Sequence, residues 1–158
     1  MKKIFLLAAV ALIAVSAVNA QEFQKGDLTA NVGMGLSENP LRLGGSFEYG
    51  IADNVFDLNG LTFGLGAELG FGFKSNYSVV VIGVRAPFHY SPVDKLDLYT
   101  APGLYCLSWK NKNLSDTHMQ FGWTFIGARY FFSSNIGAFL ELGFDTALGM
   151  GAGVAFKF

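Results

Sequence analysis

The 158-residue chain is 51% hydrophobic, carries a formal charge of −1 and has a single cysteine. It contains no basic block, which argues against a nucleic-acid partner, and one cysteine allows no internal disulfide. Glycine (20) and phenylalanine (16) are both abundant. They alternate along the chain, a pattern of folded sheet and not of low complexity.

Residues 1–20 read as a secretory signal peptide. Lys2 and Lys3 precede an apolar run from Ile4 to Val18, and Val18 and Ala20 are the small residues before a cut at Gln21. The run is short for a membrane helix. Cleavage takes the two lysines away and leaves residues 21–158 with a net charge of about −3. That length suits one domain. No second apolar stretch is long enough for a spanning helix, so a membrane location requires a closed sheet.

Eight strands follow, each with period-two alternation. The first runs from Asp27 to Leu36, and Ser37–Pro40 turns the chain into the second, Leu41–Tyr49. Gly50–Asn59 is a longer connection with room for a helical turn. The third strand, Gly60–Phe73, alternates large apolar residues with glycine, Thr62 and Glu68. After Lys74–Ser78 comes the fourth, Val79–Phe88, with Val81, Gly83, Arg85 and Pro87 on its small and polar face. His89–Asp97 reads as a turn, broken by Pro92 and Asp94. The fifth strand, Leu98–Trp109, presents Tyr99, Ala101, Gly103, Tyr105, Leu107 and Trp109 outward, with a bulge or break expected at Pro102. Cys106 packs within this run.

Lys110–His118 is the most polar stretch and reads as a loop. The sixth strand, Met119–Phe131, is ambiguous: either Arg129 snorkels at the outer rim, or a bulge near Gly127 exchanges the faces. The seventh runs from Ile136 to Phe144. Asp145-Thr146 leads into the last, Ala147–Phe158, with Leu148, Met150, Ala152, Val154, Phe156 and Phe158 on one face and glycines on the other.

An even count brings both chain ends to the same side, as a bacterial outer-membrane barrel requires. The large residues occupy one face and Gly, Ser and Thr the other. That suits a narrow eight-stranded lumen with the bulky side outward in lipid. A soluble eight-stranded cup would bury the bulky face instead. Tyr49, Tyr77, Tyr90, Tyr99, Trp109 and Tyr130 fall near strand ends, where membrane barrels carry aromatic girdles. The fold class is therefore an all-β, eight-stranded antiparallel transmembrane up-and-down barrel, preceded by a cleaved signal peptide.

Arg42, Glu48, Glu68, Arg85, Glu141 and Lys157 fall on inward faces, and Arg129 joins them if the bulge is present. In a narrow lumen each needs an opposite charge and hydrogen bonds. The expected result is a paired network filling a packed polar interior, the alternative a narrow pore or carrier for small or apolar solutes. His89 and Ser91, two apart on an extended chain, share a face. With a glutamate they would form the set by which some outer-membrane barrels deacylate lipid A. Their predicted place in a turn at the terminal end argues against that reading. No catalytic residue, cofactor or metal site is expected; His118 alone does not make one.

The stretch Gly127–Phe144, GARYFFSSNIGAFLELGF, resembles the penultimate hairpin of the small bacterial outer-membrane barrel superfamily. That group holds the OmpA membrane domain, the OmpX- and OmpW-like proteins and the outer membrane β-barrel domain proteins of Bacteroides-type bacteria. The Arg-Tyr-Phe, Asn-x-Gly and Glu-Leu-Gly elements carry the likeness, and Phe158 resembles the C-terminal aromatic read by the outer-membrane assembly machinery. The resemblance implies residence in the bacterial outer membrane as a monomer. Outer-membrane lipid, lipopolysaccharide and the assembly machinery would be its partners. In that family the arginine and glutamate of this hairpin face inward, which for Arg129 and Glu141 favours the bulge. The role implied is structural or interactive, without catalysis.

Overall fold

Alternation sends the bulky side chains of every strand to one face, and the sheet curls until its first and last strands pair. The computed structural model describes residues 22–35 and 41–158. The predicted signal peptide and the Ser37–Pro40 turn lie outside the described residues. The strands are β1 (Leu28–Gly35), β2 (Arg42–Ala52), β3 (Leu61–Lys74), β4 (Tyr77–Arg85), β5 (Phe88–Val93), β6 (Leu96–Asn111), β7 (Ser115–Phe131), β8 (Ile136–Phe144) and β9 (Met150–Lys157). β4 and β5 are two segments of one barrel strand, because both pair with β3 on one side and β6 on the other. β1 pairs with β9, from Thr29↔Lys157 to Gly35↔Gly151, and closes an eight-stranded ring.

The outer wall is apolar. Val32, Leu65, Ile82, Leu104, Phe121 and Leu140 are each more than half exposed. In water this would be a continuous apolar surface far beyond what soluble proteins carry; in a bilayer it is the lipid-facing belt. Cys106 stands on this outer wall, exposed, and does not pack inside.

Four expectations are corrected. The turn predicted over His89–Asp97 shrinks to Asp94-Lys95, since β5 continues the fourth strand to Val93. Pro87 removes one N–H, but Gly64 N–H donates to the Pro87 carbonyl and Ala86 N–H to that of Pro102, so the ladder survives the interruption. The predicted loop Lys110–His118 is mostly strand: β6 and β7 pair as far as Lys110↔Ser115. This hairpin is polar because it rises past the apolar belt, not because it is irregular. β8 meets β7 only from Trp123↔Phe144 downward, so the tip projects beyond it. Pro102 lies within continuous β6, and the irregularity sits on the facing strand. Finally, Ala147 and Leu148 precede β9 and turn into the barrel; they are 0% and 3% exposed. The segment after Ala52 does contain a helical turn, a single 3-10 turn over Val55–Asp57.

The ambiguity of the sixth strand resolves as a bulge. Thr124 pairs with Gly143 and Ile126 with Leu142, leaving Phe125 as the extra residue. Phe125 and Ile126 both face outward, and the parity then changes so that Gly127, Arg129 and Phe131 point in.

The facing of the fifth strand is opposite to expectation. Tyr99, Ala101 and Tyr105 are buried inside, while Leu98, Thr100, Pro102 and Leu104 look outward. Two glycines explain how the lumen accepts the two tyrosines. A Cβ on Gly127 would overlap the Tyr99 ring, and one on Gly83 the Tyr105 ring. Gly127→Ala should therefore destabilise the barrel by about 1–3 kcal/mol through overpacking. Tyr99→Ala in that background should cost less than it does alone, because the clash leaves with the ring. Urea midpoints read by tryptophan fluorescence in micelles measure both, and additive losses would reject this packing.

Candidate functional site

Bringing inward faces from seven strand segments together places the charges of the chain at the centre of the lumen. Arg85 on β4 and Arg129 on β7 are 1% and 0% exposed. Arg85 Nη1 donates to Glu68 Oε1 at 2.5 Å and Glu141 Oε1 at 2.9 Å. Its Nη2 pairs with Glu48 Oε1 and donates to Ser46 Oγ at 2.9 Å. Arg129 shares the same glutamate through Nη2 to Oε2. Its Nη1 donates to Asp97 Oδ2 at 3.0 Å, and its Nε to Asn31 Oδ1 at 3.2 Å. Glu48 thus bridges the two guanidiniums, and its β2 position, opposite Gly66 of β3, leaves room for both.

Around this core, neutral donors complete the carboxylates. Tyr99 Oη–H donates to Glu141 Oε1 at 2.5 Å, and its ring lies 4.3 Å beneath the Arg129 guanidinium carbon. His89 Nδ1 lies 3.0 Å from both oxygens of Asp97, while its Nε2 faces Glu48 Oε2 at 3.7 Å. Ala147 N–H donates to Glu68 Oε2 at 3.3 Å. Four carboxylates therefore meet two guanidiniums in a space closed to solvent, and hydroxyl, amide and imidazole groups share the excess.

Both mouths are stopped. At the terminal end Phe23 is 1% exposed, with its ring 4.0 Å from that of His89. The segment carrying it is tied by Glu22 N–H to Ser91 Oγ at 2.9 Å and by Gly26 N–H to the Gly50 carbonyl. At the opposite end Thr146–Leu148 folds inward. Arg42 Nη1 donates to the Thr146 carbonyl at 3.1 Å, and Ala147 packs on Val79, Val81 and Tyr105.

Of the predicted interior charges, Glu48, Glu68, Arg85, Arg129 and Glu141 thus meet in one network. Arg42 does not reach it and holds the inward loop instead. Lys157 sits at the terminal rim, 3.1 Å from Asp27. His89 and Asp97 belong to the centre and were missed. Parity offered a signal for both: His89 continues the Arg85–Pro87 face across the interruption, and Asp97 shares the parity of Tyr99. His89 and Ser91 form no nucleophile–base pair among the described residues: His89 is held by Asp97, and Ser91 accepts from Glu22. Among the described residues no group of three or more His, Cys, Asp or Glu is placed to hold a metal. Tyr99 is an interior residue and leaves the predicted aromatic girdle, as do Tyr77 and Trp109, which pack on the inner cluster of Val79, Val81 and Tyr105; Tyr49 and Tyr130 stay on the outer wall. An apolar groove of about 930 Å³ crosses the outer wall over Gly45 and Ala67, flanked by Val32, Phe47, Leu69 and Ile82. It faces lipid and carries no reactive group on its outward side chains.

Glu48→Ala would leave two buried guanidiniums short of a partner and should cost about 3–5 kcal/mol. Lys157→Ala, at the rim, should cost less than about 1 kcal/mol. Equal shifts of the two urea midpoints would mean that the central network is not the principal ion-pair contribution.

No protein-family model matches the chain, and no curated protein sequence matches it. Solved structures do. The N-terminal β-barrel domain of Pseudomonas aeruginosa OprF superposes with a TM-score of 0.62 at 20% identity, covering 85% of this chain and 98% of that one. A de novo designed transmembrane β-barrel gives 0.59 at 18% identity, again over 85% and 98%. Ail, the attachment invasion locus protein of Yersinia pestis, gives 0.51 at 11% identity over 85% of this chain and all of that one. A barrel designed from first principles matches about as well as natural ones, so the likeness speaks for architecture and not for activity. The chain has the fold of the small eight-stranded transmembrane barrels of the bacterial outer membrane.

Proposed function

We propose that the protein is a non-catalytic structural barrel, with residues 1–20 removed as a signal peptide and residues 21–158 inserted in the outer membrane. Its role is in envelope integrity and in contact with lipid, lipopolysaccharide and protein partners. The observation that carries this reading is the sealed lumen: a charge network at the centre, Phe23 below it and Thr146–Leu148 above. A solute path would have to dismantle ion pairs whose separated charges are costly in a low-dielectric interior. A hydrolase would need an accessible nucleophile beside its base, and His89 lies beneath Phe23. In this reading Arg85, Arg129, Glu48, Glu68 and Glu141 plug the barrel, and Arg42 and Lys157 brace its two ends. Phe158, 71% exposed at the terminal rim, is the signal for the assembly machinery.

The folded protein should give a flat current baseline in planar bilayers, and so should Phe23→Ala, because the central network still closes the lumen. Stepwise conductance from the wild-type barrel would replace this reading with the narrow-pore one.

A further inference from the structure

We propose that the hairpin tips at the end opposite the termini form a binding site for the phosphate of a membrane lipid, held by Lys74, Lys110 and Lys112. This rests on the barrel reading above and gives its lipopolysaccharide contact a site. The β3–β4 and β6–β7 tips stand side by side, because Tyr77 pairs with Asn111 and Ser78 with Lys110. Between them lies an open recess of about 350 Å³, lined by Phe73, Lys74, Asn76, Tyr77, Lys110 and Lys112.

Three observations point to an anionic headgroup. The first is charge. Lys110 and Lys112 are exposed and make no ion pair among the described residues. At the terminal end, by contrast, Lys25, Lys95 and Lys157 stand among Glu22, Asp27, Asp53, Asp57 and Asp94, and Lys157 lies 3.1 Å from Asp27. The described carboxylates at the tip end are Asp116, which lies 3.1 Å from His118, and Asp145. The second is depth. On the outer wall of β6 the apolar Leu104 and Cys106 give way to Ser108 and then Lys110; on β4, Ile82 and Val80 give way to Ser78. Lys110 therefore emerges where hydrocarbon meets water. The third is aromatic. Phe73, on the outer wall with Leu69 and Phe71, is 70% exposed beside the recess, as aromatic residues that sit at headgroup level are. Lysine binds phosphate as a point charge, and Asn76 and Asn111 add amide donors. A phosphorylated glycolipid such as lipid A fits better than free phosphate, because Phe73, Ser78 and Lys110 of the recess lining stand on the lipid-facing wall.

The test uses the full mature chain in phosphatidylcholine nanodiscs doped with bisphosphorylated lipid A, with retained lipid measured by native mass spectrometry. At about 1 kcal/mol per basic residue near the surface, each lysine is expected to contribute about five-fold. The triple variant K74A/K110A/K112A should then bind on the order of 100-fold more weakly, and Lys110→Gln alone about five-fold. Lipid A stripped of its phosphates should be held weakly by both proteins, and K25A/K95A should match wild type. Equal retention by wild type and the triple variant, or equal retention of the dephosphorylated lipid by wild type, overturns the proposal. Displacement of the lipid by millimolar inorganic phosphate would assign the site to free phosphate instead. A heat-modifiable gel shift, run in parallel, reports whether the barrel is inserted. Its absence would count against the barrel reading, and its presence without lipid binding against this site alone.

Discussion

Hydrocarbon offers no hydrogen bonds, so a sheet in a bilayer has to consume its own edges. The β1–β9 pairing is where this chain meets that demand, and most of the rest follows from it. Closure at eight strands fixes a narrow lumen. A narrow lumen cannot take large side chains at every inward position, which is why glycine dominates one face of the third and last strands. The outer face then carries the leucines and phenylalanines that a soluble fold would have buried.

The interior solves a harder problem than the wall. Two arginines, four carboxylates and a histidine occupy a space without bulk water. Glu48 holds both arginines, so neither guanidinium depends on a single partner. The surplus of carboxylates is met by uncharged donors from separate parts of the chain: Tyr99 on β6, the Ala147 amide in the inward loop, Thr29 on β1. That loop is therefore part of the electrostatics as well as a stopper. The tyrosines work in the same double way. Tyr99 fills volume that Gly127 vacates, lies under Arg129 and donates to Glu141, so packing and charge balance cannot be separated at that position.

Much of this was legible in the sequence, for reasons that also explain what was not. The strands with bulky-and-glycine alternation, such as Gly60–Phe73 and Ile136–Phe144, disclose both their extent and their facing, because size and polarity agree. The fifth strand misleads because Tyr99 and Tyr105 are large and aromatic, as a wall residue is, yet carry hydroxyls suited to the interior. Polarity also fails as a guide beyond the belt. Ser115–His118 has lost its apolar face to water while remaining strand, and so reads as loop. The Phe125 bulge left only a contradiction, Arg129 on the wrong parity, which the resemblance of Gly127–Phe144 to a known hairpin settled in the right direction. His89 was hidden by Pro87, which looks like the end of a strand when carbonyls on both sides keep the ladder in register.

The division between what is conserved by physics and what is free to vary bears on function. The belt, the closure and the small inward residues are demands of any eight-stranded membrane barrel, and a designed protein meets them as well as a natural one. Demands of that kind cannot report a role. The features in excess of them are the sealed charge network and the uneven ends, one rich in carboxylates with Lys157 paired to Asp27 and the other with Lys110 and Lys112 exposed at the belt edge. The network fixes one arrangement of the lumen at a large desolvation cost, which is a poor design for passing solutes and a good one for holding shape. With the inside committed in this way, what remains able to meet the surroundings is the rim, and there the basic hairpin tips are the part of the surface whose chemistry exceeds what the fold alone requires.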